Sequence, residues 1–210
     1  MKTRGRAATA VLIPAARGDL CLAFANTLSW RGSPAPSESL GGFADLINWL
    51  AGAAGLPAET VEHARHWSQA HRQQSDALFG EAIGLREAVY RLFNALAAGE
   101  PAPAEDLALL NHALAAAPPR QRVARAAGGY AWQTGGIAMS APGLLAPVLW
   151  SAADLLTRAD RRRVRRCAND ACLWLFIDES KAGTRRWCDM SSCGNRAKSR
   201  RHYLRTKQGS

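Results

Sequence analysis

The chain has 210 residues, nearly half of them apolar, which allows one large domain or two small ones with a real core. Its formal charge of +10 and pI near 10.1 point to an anionic partner, and no run of eighteen apolar residues exists to span a membrane. The charge is unevenly placed: residues 1–157 hold twelve Lys+Arg against twelve Asp+Glu, while 158–210 hold fifteen against five, so the last quarter carries the whole excess.

The opening MKTRGRAATAVLIPAARG has a basic start and a short apolar run that imitates a secretory leader. Pro14 interrupts that run, and the thiol-rich end of the chain argues against export. The expectation is a cytoplasmic protein whose first residues fray or pair with a sheet edge. Asp19 to Trp30 reads as a short helix, with Leu20, Phe24 and Thr27 on one face. Cys21 suits packing as a small apolar filler. Asn26 and Thr27 are polar residues on an apolar segment. Together with Arg31 they mark a candidate pocket for a small-molecule effector.

Residues 32–39 form a loop by composition. Phe43, Leu46, Ile47 and Leu50 then keep helical spacing, and Pro57 opens a further helix carrying His63, His66, Trp67 and His71. No carboxylate or cysteine completes a metal set with these histidines, which predicts a solvated or stacking role. Ser75 to Ala98 is the longest periodic segment, striped by Leu78, Ala82, Leu85, Val89, Leu92, Phe93 and Leu96. Arg86 lies off the stripe, and Glu87 with Arg91 makes an i,i+4 pair. Ala104 to Ala117 is another amphipathic helix. From Arg120 to Thr134 the pattern alternates around Gly128-Gly129, which predicts a β-hairpin. Pro142 to Leu156 returns to helix.

The last fifty residues carry the clearest chemistry. Cys167 and Cys172 form one C-x4-C pair, and Cys188 and Cys193 form a second. Two thiol pairs of matched spacing across a short linker suit one tetrahedral Zn²⁺. Two disulfides are the alternative, disfavoured in a reducing compartment. Four thiolates close the coordination shell, so the ion is structural rather than catalytic. They also lower the local charge from +10 to about +8. Val164 to Cys167 reads as a strand, and Asp178 is expected to pair with Arg185 or Arg186. Gly194 lets the chain turn close to the ion, and Asn195 caps a helix or bonds a thiolate. Asn195 to Lys207 reads as a basic helix. Arg outnumbers Lys 23 to 4, which favours bidentate contacts to phosphate and guanine. The candidate nucleic-acid contacts are Arg185, Arg186, Arg196, Lys198, Arg200, Arg201 and Arg205.

The run LFIDES…RRWCDMSSCGNRAKSRR closely resembles the CGNR zinc-finger family, at Phe176, Asp178, Ser180, Arg185 to Cys188, Cys193 to Arg196 and Lys198. The preceding WSAADLLT…RRVRRC is similar to that family's lead-in, and DLCLAFANT resembles the signature of the ABATE domain that accompanies the finger. The resemblance implies a bacterial stress-related transcription regulator in which the four cysteines hold zinc and the finger meets DNA. It also implies that Asn26 and Thr27 belong to the ABATE signature. Ala23 departs from the family, which commonly has Asp there.

The expected fold is mainly α with a small β-hairpin. An α-helical N-terminal domain for sensing or oligomerisation covers 1–157, and a treble-clef-like or knuckle-type zinc finger covers 158–208. A single finger covers little surface, so a homodimer on duplex DNA is expected. An RNA- or ribosome-associated zinc module is the second reading of the same charge. No P-loop, Rossmann fingerprint, His-Glu metal motif or GxSxG is present, so no enzyme is expected.

Overall fold

The computed structural model describes residues 10–14, 18–127, 129–158 and 163–199. The elements in chain order are β1 (Val11–Pro14), α1 (Leu20–Ala25), β2 (Leu28–Ser29), β3 (Ser37–Glu38), α2 (Phe43–Ala53), α3 (Ala58–Ala70), α4 (Arg72–Ala98), α5 (Ala104–Ala116), β4 (Arg122–Ala126), β5 (Gly129–Thr134), α6 (Ala141–Leu144), α7 (Ala146–Thr157), β6 (Val164–Arg166) and β7 (Leu175–Ile177). A wide helical turn over Met190–Gly194 follows, and helical backbone continues over 195–199. The fold is mainly α with small sheets, as the periodicity predicts.

The long helix α4 is the spine. Its 27 residues reach about 40 Å, and its stripe from Leu78 to Phe93 is buried. It packs against α1, α2, α3, α5 and α6, and also against β6 and β7. Helix α1 is apolar on nearly every side, so it must be enclosed; it lies between α4 and α7. Its Cys21 is fully buried, its backbone N–H donates to Ser151 Oγ at 3.1 Å, and burial pushes the thiol up to about 12. That thiol is inert packing.

Four local expectations are revised. Helix α1 stops at Ala25 instead of continuing to Trp30. The Thr27 hydroxyl donates to the Phe24 carbonyl at 2.8 Å, and the chain turns away to pair β2 with β3. The expected helix over 142–156 divides at Leu145, ahead of Pro147, which has no N–H to donate to the carbonyl four residues back. Arg86 is buried rather than solvated, and donates to Glu38 at 2.7 Å, Glu87 at 2.9 Å and Thr27 Oγ1 at 3.1 Å. Glu87 pairs with Arg31 and Arg86 instead of Arg91, while Arg91 clamps Asp106 across to α5.

The hairpin of β4 and β5 sets Ala126 opposite Gly129. β1 adds to β5 from Val11↔Thr134 to Pro14↔Ala131, completing a sheet of order β1-β5-β4. The first described segment therefore pairs with a sheet edge. On α3, Trp67 and His71 stack at 5.2 Å and His66 meets Glu62, consistent with stacking and solvated histidines. No helix among the described residues is long and apolar enough to cross a membrane.

Candidate metal centre

The short antiparallel pair β6 and β7, with Val164 opposite Ile177, holds the first cysteines at its tip. Val164 and Leu175 bury into the main helical core, so the hairpin is seated on α4. Beyond β6 the chain folds over Cys167 to Cys172. The Cys167 N–H donates to the Trp174 carbonyl at 2.8 Å, and the Asn169 carbonyl accepts from Cys172 at 2.8 Å. Of the second pair, Cys188 precedes the helical turn and Cys193 lies within it. Asp189 caps that turn by accepting from the Ser192 N–H at 2.8 Å, which brings Cys193 back toward Cys188. The two halves are tied together where the Ala168 N–H donates to the Arg186 carbonyl at 2.9 Å.

The result is one cluster. The four sulfurs of Cys167, Cys172, Cys188 and Cys193 all lie within 4.8 Å of one another, and Cys172 and Cys188 approach to 3.7 Å. Tetrahedral Zn²⁺ with bonds near 2.3 Å requires sulfurs about 3.8 Å apart. All four cysteines are free of disulfides. Three are buried and Cys188 is half-buried, with Phe176, Trp30 and Trp187 packed around them. Hydrogen bonds from Cys172 and Cys188 push the Cys167 thiol down to about 2. In return Cys172 is pushed up to about 12 and Cys188 is also raised, both chiefly by Cys167. Ionisation of one thiol thus works against ionisation of its neighbours. A dication lets all four ionise together. The cysteines are positioned to bind one structural Zn²⁺, with no open ligand position for catalysis.

The surrounding polar groups differ in detail from expectation. Asn169 Nδ2 donates to Cys193 Sγ at 3.4 Å and so supports a thiolate, whereas Asn195 donates to the Ser191 carbonyl of its own turn. Gly194 is buried under Met190, whose sulfur would stand 2.8 Å from an added Cβ. Asp178 is fully buried and accepts from Ser180 and from the Arg185 backbone N–H at 2.9 Å, so it orders the loop instead of forming an ion pair. Its carboxyl lies below the usual range, chiefly through the Ser180 hydroxyl. Sequence reasoning missed Asn169 and Asp189. A signal for Asp189 was present, since Asp just before a helical run is an N-cap residue.

The basic side chains are exposed but engaged. Arg185 lies over Phe176 at 4.6 Å and donates to the Trp187 carbonyl at 2.9 Å and to the Cys188 carbonyl. Arg186 sits over Trp187 at 5.4 Å, and Arg196 over Trp30 at 4.6 Å. Lys198 is exposed. Arg200, Arg201 and Arg205 lie outside the described residues.

Of the three residues expected at a pocket, Asn26 and Thr27 border a cleft of about 480 Å³ between α1 and the finger, with Ala23 also on its wall. Asn26 also bonds across that junction: its Nδ2 donates to the Leu175 carbonyl at 2.8 Å, and its Oδ1 accepts from the Leu175 N–H at 3.0 Å. Arg31 does not line the cleft. It clamps Glu87 at 2.6 Å and lies over Tyr90 at 3.9 Å, and the Tyr90 hydroxyl donates to the Leu173 carbonyl at 3.1 Å.

Comparison with known families agrees with this geometry. The model of the ABATE family, described as "putative stress-induced transcription regulator", matches residues 18–159. That of the CGNR zinc finger matches residues 163–206. No relative is found among curated proteins. With most of its length matched and its four sulfurs gathered for one ion, the chain belongs to the ABATE family and carries a CGNR zinc finger.

Proposed function

We propose that this chain is a DNA-binding transcription regulator whose finger, residues 158–208, meets duplex DNA under the control of the helical part, residues 1–157. The observation that carries this reading is a closed four-sulfur centre from which a basic helical segment starts. Cys193 lies in the wide turn that runs into residues 195–199, so the ion fixes the root and direction of that segment. The whole formal excess of +10 lies in residues 158–210. Arg196 and Lys198 are exposed on the segment, and Arg200, Arg201 and Arg205 follow in sequence. Arg185 and Arg186 flank it.

Two subunits place two fingers on the DNA, since one such module covers too little surface for specific binding. The cleft bordered by Asn26 and Thr27 takes a small-molecule effector. It touches both α1 and the finger, so an occupant there shifts the finger. Light scattering that gives a monomer both free and on DNA overturns the dimer. A thermal-shift screen across metabolite classes that leaves the transition unmoved overturns the effector.

The deciding experiment is fluorescence anisotropy of the zinc-loaded full chain with duplex DNA over a salt series. About four phosphates neutralised per finger give a log–log slope near −3.6 per finger, so a fourfold rise in salt weakens each finger about a hundredfold. Lys198→Ala weakens binding and lowers the slope by about one, with zinc retained. Binding indifferent to salt would sink this reading. If structured RNA displaces the duplex at equal concentration, the RNA-associated module replaces it.

A further inference from the structure

A second cavity, of about 630 Å³, borders the metal centre at Cys193. Its walls come from both parts of the chain: Trp30 from the loop after β2, Asn169 and Asp170 from the first cysteine loop, and Arg186, Trp187 and Arg196 from around the second pair. Both tryptophans pack against the cysteine cluster as well as bordering the cavity, so the metal centre fixes their positions. A guanidinium covers each ring, Arg196 on Trp30 and Arg186 on Trp187. Neither guanidinium is paired with a carboxylate among the described residues, and the Asp170 carboxylate takes no hydrogen bond from any of them.

Two aromatic walls, two unpaired guanidinium groups and one free acceptor make a specific set. A plain hydrophobe stacked on the indoles would displace both cations and leave them without a partner. Inorganic phosphate would draw both cations off the indoles and leave those walls without one. A flat heteroaromatic ring bearing a phosphate satisfies all of them, and the volume lies within the range of small-molecule sites.

We propose that this cavity binds a nucleotide. The Arg196 and Arg186 guanidinium groups leave the Trp30 and Trp187 rings to bridge the phosphate, the base takes their place on the indoles, and Asp170 accepts from a base N–H. The ligand class rests on the polyanion reading above, because Arg186 and Arg196 serve both. Two sources supply it: a free mononucleotide, or an unstacked base of a bound strand. Because Trp30 belongs to the helical part and Arg196 to the finger, an occupant joins the two.

The test is isothermal titration calorimetry of the zinc-loaded full chain with adenosine and guanosine monophosphates, a single-stranded hexanucleotide and inorganic phosphate. Nucleotides bind, and phosphate at the same concentration does not. Trp30→Ala weakens the nucleotide about ten- to a hundredfold with one zinc per chain retained, and Trp30→Phe restores most of the affinity. Should Trp30→Ala lose its zinc, Arg186→Gln replaces it as the variant read, and weaker binding with zinc intact is expected. Binding of the hexanucleotide without mononucleotides, still dependent on Trp30, assigns the strand as the source. No binding by any nucleotide, equal binding by phosphate, or affinity unchanged in Trp30→Ala overturns the proposal. Duplex binding of the same sample, measured in parallel, separates the outcomes: duplex binding without nucleotide binding removes only this pocket.

Discussion

Asn26 makes two hydrogen bonds to a single residue of β7, Leu175, at 2.8 and 3.0 Å, and thereby acts like one more rung of a sheet ladder. At about 1 kcal/mol net for each bond, Asn26→Ala costs about 2 kcal/mol. Asn26→Asp is also destabilising, because a carboxylate cannot donate to the Leu175 carbonyl. Thermal denaturation checks both, and an unchanged midpoint in either variant contradicts the clasp. Cys188 is the most exposed of the four ligands, yet the shell is closed only with it. Cys188→Ser therefore loses stoichiometric zinc, and with it the duplex binding proposed above, as metal analysis and anisotropy read in parallel. Retention of one zinc per chain by that variant argues against four-thiol coordination.

Among the elements, the first cysteine loop and the loop after β2 fit each other closely. A Cβ added at Gly32 would lie 1.8 Å from the backbone oxygen of Asp170, and neither atom belongs to a flexible side chain. Gly32→Ala thus forces the loops apart. The expected result is faster zinc transfer to a competing chelator, with the helical signal in far-ultraviolet circular dichroism unchanged. An unaltered transfer rate counts against the fit. The sequence shows Gly32 only as part of a polar loop, because its partner stands 138 positions away. Asn26, the residue that ends α1, likewise depends on a contact made after the chain has folded back on itself, with Leu175, 149 positions away. Periodicity did reveal α2, α4, α5 and the hairpin, and Pro57 marked the start of α3, since a one-sided apolar stripe, a strict alternation or a helix-opening proline is a local property. It misplaced Arg86, because a helical position at the margin of the stripe is buried or solvated according to its neighbours. Here Glu38, Glu87 and Thr27 supply buried partners.

For the molecule as a whole, the finger and the helical body share contacts that bind their stabilities together. Val164 and Leu175 belong to the main core, and Arg166 donates to Asn94 of α4 at 2.9 Å. Removing zinc with a chelator therefore lowers the melting transition of the entire chain, not of a separate small unit. Two transitions, with the larger one unmoved by chelator, would contradict this. Acid acts in the same direction by two routes. Protons compete with the metal for the thiolates. Glu38 and Glu87 are raised by burial but lowered further by Arg86 and Arg31, so their folded values lie below the ordinary one. Each then binds fewer protons folded than unfolded, and its contribution is present above about pH 4.3 and lost as the pH falls through the folded value. Glu87→Gln lowers stability at neutral pH and flattens its acid dependence, which urea denaturation at pH 3 to 7 measures.

What the sequence determined by itself was the helical class, the hairpin, the four zinc ligands and the placement of charge at one end, because spacing, alternation and charge are written in neighbouring residues. The tertiary structure alone decided which partners those residues found. It showed Asn26 bonded to a strand 149 positions away, Arg86 enclosed among acids, and Trp30 set against Arg196 beside the metal centre. Such pairings arise only when distant segments are packed together, and no local pattern encodes which of many compatible partners will be adjacent.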